Sequence, residues 1–188
     1  AITATMHDQN FTSLPDLHGV PVFYPHGTQL IWISQNGEIT KPTRETLAAE
    51  FALGVVLLCH RRWSAARAAI DIDYYLDVME LFAFVRPARF VLPTPGGLAQ
   101  QLGLARPQQG EDMAALLPQI TFTLLDELAR APNAARIEAG KIATMMTAGG
   151  WKWGPYILVH LGLPQPPAGP PDSGHAAIWN RLANYTDY

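Results

Sequence analysis

The chain has 188 residues, 48% of them hydrophobic and only 15% charged, with a formal net charge of -3 at pH 7. Such a composition can build a core, which excludes a wholly disordered chain; no run nears the roughly 18 to 20 apolar residues of a membrane span and no leader pattern opens the sequence, so a cytoplasmic domain with no membrane partner is expected. Mild acidity argues against nucleic-acid binding through bulk charge while leaving a local basic face open, and the single cysteine, Cys59, excludes an internal disulfide and a cysteine-only zinc site.

Along the chain, Val20 to Tyr24 and Gln29 to Ser34 are short β-branched and aromatic segments separated by Pro25-His-Gly27, and Gln35-Asn-Gly37 leads into Glu38 to Lys41. Together they predict a three-stranded antiparallel meander, with Asn36 and Gly37 at the two central positions of a type I′ turn. Thr43 is a natural N-cap for a helix that runs to about Leu53, where Gly54 stops it. The uninterrupted apolar run Val55-Val-Leu-Leu-Cys59 reads as a strand covered on both faces. A helix around Trp63 to Ile70, a short strand Tyr74 to Leu76 and a helix from about Asp77 to Val85 follow, the last ended by Pro87. Thr94-Pro95 and Gly103 bracket the next helix. Glu111 to Ala131, with Pro118 early in it, and Asn133 to Ala148 complete the set of four helices after the last strand.

Proline is concentrated in Pro164 to Pro171, which predicts a linker between a body of about residues 10 to 163 and a tail containing Ile178-Trp-Asn-Arg-Leu182. Strands first and helices later, with one buried strand in the middle, predict an α/β fold: a mixed sheet, part antiparallel meander and part parallel, flanked by helices.

The phosphate-cradling Gly-x-x-x-x-Gly-Lys-Ser/Thr loop, the Gly-x-Gly-x-x-Gly turn and His-Glu-x-x-His do not occur, so no ATP, dinucleotide or zinc-protease site is expected in this chain. Cys59 and His60 close the buried strand but point to opposite faces and cannot pair as thiolate and imidazole, so structural roles are expected for both. Asp71, Asp73, Asp77 and Glu80 form the densest acidic group; helix capping and solvation account for it more simply than a metal site does. Trp151-Lys-Trp153-Gly-Pro155 reads as an aromatic plug over a helix end, with a stacking platform for bases as the other reading.

These residues also carry a family pattern. Asp77 to Phe90, then Leu92-Pro-Thr-Pro95, Gly97-Leu-Ala and Leu102-Gly-Leu104, and later Gly150 to Pro155 and Ile178 to Leu182, resemble the N-terminal region of DinG-type ATP-dependent DNA helicases of alphaproteobacterial style, over about residues 55 to 182. The resemblance implies a stand-alone or excised domain that precedes a helicase motor in cis; ATP and Mg would belong to that motor, whose motifs are not in this sequence. The element order further resembles the ribonuclease H-like fold of DnaQ-like 3′–5′ exonucleases, with Asp77 as one of their metal-binding acids. Here the pattern departs from the family: Val20-Pro-Val-Phe-Tyr24 carries no Asp-x-Glu pair, and Glu111 to Leu117 has no histidine and puts Leu116 where an aspartate would fall.

The resemblance thus implies a degenerate exonuclease-like domain, with Asp77 as its remnant acid and no catalytic set or metal site of its own, acting as a non-catalytic accessory of the helicase. Single-stranded DNA is a further expected partner, through phosphate contacts from Arg61, Arg62, Arg67, Arg86 and Arg89 and stacking on Trp63. The alternatives are an active metal-dependent nuclease built on Asp71, Asp73, Asp77 and Glu80, and a protein-docking module working through the Ile178–Leu182 tail.

Overall fold

A strand buried on both faces must sit inside a sheet, and the apolar run before Cys59 does. In a computed structural model that describes residues 16–165, β4 (Val56–Leu58) lies between β1 (Val22–His26) and β5 (Tyr75–Asp77) and runs parallel to both. β2 (Gln29–Ile33) and β3 (Ile39–Thr40) continue the sheet antiparallel on the far side of β1, giving the order β3-β2-β1-β4-β5. The protein is therefore α/β with a mixed five-stranded sheet, a layout consistent with the ribonuclease H-like fold.

Side chains alternate across the sheet, so one strand supplies two cores. Val56 and Leu58 join Phe23, Trp32, Leu47 and Phe51 on one face, while Leu57 and the adjoining Cys59 join a larger cluster on the other. α1 (Arg44–Leu53) and α2 (Arg61–Ala68) cover the smaller core through Leu47, Phe51 and Ala68. α3 (Val78–Val85), α4 (Pro95–Leu102) and the long α5 (Gly110–Ala129) cover the larger one, and fully buried Phe82, Leu98 and Leu117 illustrate burial that contributes about 1.5–3 kcal/mol per side chain.

The helix ends follow local chemistry. Thr43 Oγ1 accepts the Thr46 N–H at 3.3 Å and Thr94 Oγ1 accepts the Gly97 N–H at 3.1 Å, caps worth about 1 kcal/mol each. Gly103 ends α4 in the left-handed region at φ +69°.

Two expectations are corrected. Gly37 has a positive φ (+80°) but Asn36 does not, and the Gly37 N–H donates to the Ser34 carbonyl at 2.9 Å. Gln35 and Asn36 therefore hold the turn's centre, because Ile33 pairs with Ile39 and leaves Ser34–Glu38 as a loop too long for a two-residue turn. There is also one more helix than expected after β5: α7 (Gly154–His160) folds back along α6 (Asn133–Ala148). Pro155 opens α7, where its missing N–H costs little, and Gly154 packs so close to Thr147 and the Ala143 carbonyl of α6 that a Cβ would collide.

Residues 10–15 of the predicted body, most of the proline-rich linker and the Ile178–Leu182 tail lie outside the described residues. Among those described, no helix is long and apolar enough to cross a membrane.

Candidate nucleic-acid interface

Open α/β sheets present their ligand sites outside the carboxyl ends of parallel strands. Here Tyr24 and His26 mark that edge on β1, Cys59 and His60 follow β4, and Asp77 ends β5.

Asp77 is 6% exposed, and both its oxygens are occupied by backbone. Oδ1 accepts N–H bonds from His60 at 2.8 Å and Met79 at 3.0 Å, and Oδ2 accepts from Arg61 at 2.7 Å. One carboxylate thus caps two helix N-termini, α2 and α3, and ties the end of β4 to the end of β5. His60 adds a second cap: held at φ +63°, its Nδ1 accepts the Trp63 N–H at 3.1 Å. Cys59 is buried, and burial, with the nearby Asp77 charge, pushes its thiol far above the usual range and away from nucleophilic reactivity. Burial likewise raises the Tyr24 phenol, with a smaller push from Cys59.

The remaining acids are spread out. Asp71 and Asp73 are exposed, whereas Glu80 is half-buried and accepts the Trp151 indole N–H at 3.0 Å. Burial raises the Glu80 carboxyl and the Asp77 charge adds to it, against the lowering effect of the Trp151 bond. Among the described residues no group of three or more His, Cys, Asp or Glu side chains is placed to hold a metal ion.

Trp153 is fully buried and donates its indole N–H to the Asp77 carbonyl at 2.7 Å, while the Trp151 ring lies 5.0 Å from Phe84. The Trp151–Trp153 segment is therefore a plug that braces α7 and its approach against the β5–α3 junction.

The six expected nucleic-acid contacts separate into two groups. Arg62, Trp63 and Arg67 project outward from α2; Trp63 is 40% exposed, with its ring 5.9 Å from that of Tyr24. Arg61, on the same helix, donates Nε–H to the Ile72 carbonyl at 2.9 Å and lays its guanidinium 5.0 Å from the Tyr75 ring centre. Arg86 and exposed Arg89 lie at the other end of α3. The Arg86 fork bonds Glu127 through Nε and Nη2, at 3.0 and 2.8 Å, and the Gln101 carbonyl through Nη1 at 2.7 Å, joining α3 to α5 and α4.

Sequence reasoning missed Lys41 and Arg44. With Arg67 they line a cavity of about 660 Å³ that opens beside the Gly27–Thr28 turn of the β1–β2 hairpin. The available signal was Lys41-Pro-Thr-Arg44, two cations astride a helix start. No protein-family model, curated protein or solved structure matches this chain.

Proposed function

We propose that this chain is a non-catalytic accessory domain of a DNA helicase, a ribonuclease H-like sheet that guides single-stranded DNA without cutting it. What supports the reading is Asp77. At the point where the resemblance calls for a metal-binding acid, the carboxylate is buried and accepts three backbone N–H bonds. β1, whose carboxyl end lies on the same edge, offers Tyr24 and His26 rather than a pair of acids. A two-metal exonuclease needs several carboxylate oxygens free to reach ions about 4 Å apart. The helicase part of the reading rests on the sequence blocks from Asp77 to Leu104 and from Gly150 to Pro155.

The test is incubation of end-labelled single-stranded DNA with the protein in magnesium or manganese, followed by sizing of the strand. No shortening is expected. Metal-dependent shortening that disappears in a folded Asp77→Asn variant, its fold checked by circular dichroism, would establish the active-nuclease reading instead.

A further inference from the structure

We infer that the cavity between the β1–β2 hairpin, the start of α1 and the end of α2 is a phosphate cleft for the backbone of single-stranded nucleic acid, with Lys41, Arg44 and Arg67 as its cations and Trp63 as an adjoining base-stacking face. The inference rests on the strand-guiding reading above and assigns it a site.

Three cations reach this cavity from three different pieces of chain: Lys41 just after β3, Arg44 at the first position of α1, and Arg67 in the last turn of α2. No carboxylate among the described residues lines it; the other polar linings are Thr28, Gln29 and Thr43. Arg44 and Arg67 are exposed, and among the described residues neither has an acidic partner within ion-pair distance. Lys41 does have one, Glu111 at 2.7 Å, an exposed pair that is weak in water and leaves the ammonium accessible. Guanidinium forks match phosphate oxygens two at a time, so a convergent set without carboxylates favours a phosphate ligand over a neutral one.

Trp63 selects which phosphate ligand. It stands four residues before Arg67 on α2, so the two side chains share one face of that helix. Its ring centre lies 5.9 Å from that of Tyr24, tilted by 42°, and the residue stays 40% exposed. An aromatic surface one helical turn from a set of phosphate-binding cations matches a single strand, which presents an unstacked base beside each charge. A phosphopeptide or a duplex would use the cations and leave the indole idle. Arg86, locked onto Glu127 elsewhere in the molecule, contributes nothing to this face.

The experiment is fluorescence anisotropy with labelled oligo-dT of about 16 nucleotides, read at about 50 and about 200 mM salt. Four proteins are compared: wild type, Arg44→Glu/Arg67→Glu, Trp63→Ala, and Arg106→Glu/Arg130→Glu. The last carries the same change of net charge on exposed positions outside the cleft. The expected result is salt-sensitive binding that weakens at least about tenfold in the cleft double variant, less steeply in Trp63→Ala, and little in the control, with the salt slope falling by about 1.4 when the two arginines are lost. A peptide nucleic acid of the same bases, lacking phosphates, should not bind. Equal losses in the cleft and control variants, or equal binding by the neutral oligomer, would overturn the cleft while leaving strand guiding in place. No binding by the wild type would overturn both, and the nuclease assay would then decide separately whether the domain is catalytic.

Discussion

Along α3 the charged side chains are already bound to protein: Asp77 at its cap to three backbone N–H groups, Glu80 to the Trp151 indole, and Arg86 at its far end to Glu127 and the Gln101 carbonyl. On the smaller face, α1 and α2 carry Arg44, Arg62 and Arg67 into solvent with no acid within ion-pair distance among the described residues. The same residue type therefore does opposite work on the two sides. Where helices pack in several layers, as α3, α4, α5 and α7 do, a charge drawn in among them survives only if the fold satisfies it. Where two short helices form a single layer, Arg61 alone of the arginines on α1 and α2 is drawn back onto the protein, and the other three stay with the solvent, open to a ligand.

The sharpest way to break that contrast is to remove the groups that anchor the packed side. Trp153→Ala leaves a large cavity and strips the Asp77 carbonyl of its donor, and should cost about 3–5 kcal/mol in urea unfolding. Trp153→Phe, which keeps most of the volume and loses only the N–H, should cost clearly less; equal losses would mean that the hydrogen bond, not the packing, holds the plug. Asp77→Ala comes next, at about 3 kcal/mol, because three N–H groups at two helix starts lose one acceptor. A near-neutral Asp77→Ala would show that the carboxylate is not structural, and would reopen its use as a metal ligand.

The contrast between Arg86 and Arg67 gives a smaller effect with a clear sign. Arg86→Ala removes a half-exposed bidentate pair and a carbonyl contact, an expected loss of about 1 kcal/mol. Arg67→Ala removes an exposed side chain with no acidic partner among the described residues and should stay within about 0.5 kcal/mol of wild type. Equal losses in the two variants would mean that the α2 cation has a structural partner, and would count against the cleft.

How much of this could be read from the sequence follows the distance over which each feature is determined. The caps Thr43 and Thr94 and the stop at Gly103 were legible because each depends on a partner within one helical turn. The buried strand was legible because Val56, Leu57 and Leu58 are apolar toward both cores. The role of Asp77 was not. Its donors His60 and Arg61 come from far along the chain and reach it only because β4 and β5 pair in parallel with Leu58 opposite Asp77. The meeting of Lys41, Arg44 and Arg67 was hidden in the same way, since it depends on how the link from β3 to α1 and the end of α2 are placed against the β1–β2 hairpin. α7 escaped because seven residues give too short a stretch for a helical period to register, and its start doubles as the end of the aromatic plug.

Glu80 supplies the finest test, because its effect on stability should change with pH. Burial raises its folded pKa above the unfolded carboxylate value of about 4.3. The folded state therefore holds a proton more tightly than the unfolded one. The resulting stabilisation is complete below about pH 4.3 and is lost as pH climbs through the raised folded value. At neutral pH the charged carboxylate is the destabilised form. Glu80→Gln keeps an oxygen for the Trp151 indole and removes that charge, so the variant should be slightly the more stable protein at pH 7 and should lose the advantage as pH falls toward 4. Urea midpoints of the two proteins at several pH values between those limits read the effect directly. A gap that does not depend on pH would mean that Glu80 stays solvated in the folded protein; a gap of opposite sign would mean that the charged Trp151–Glu80 bond outweighs the cost of burying the carboxylate, and that this acid too is held by the packed side of the sheet.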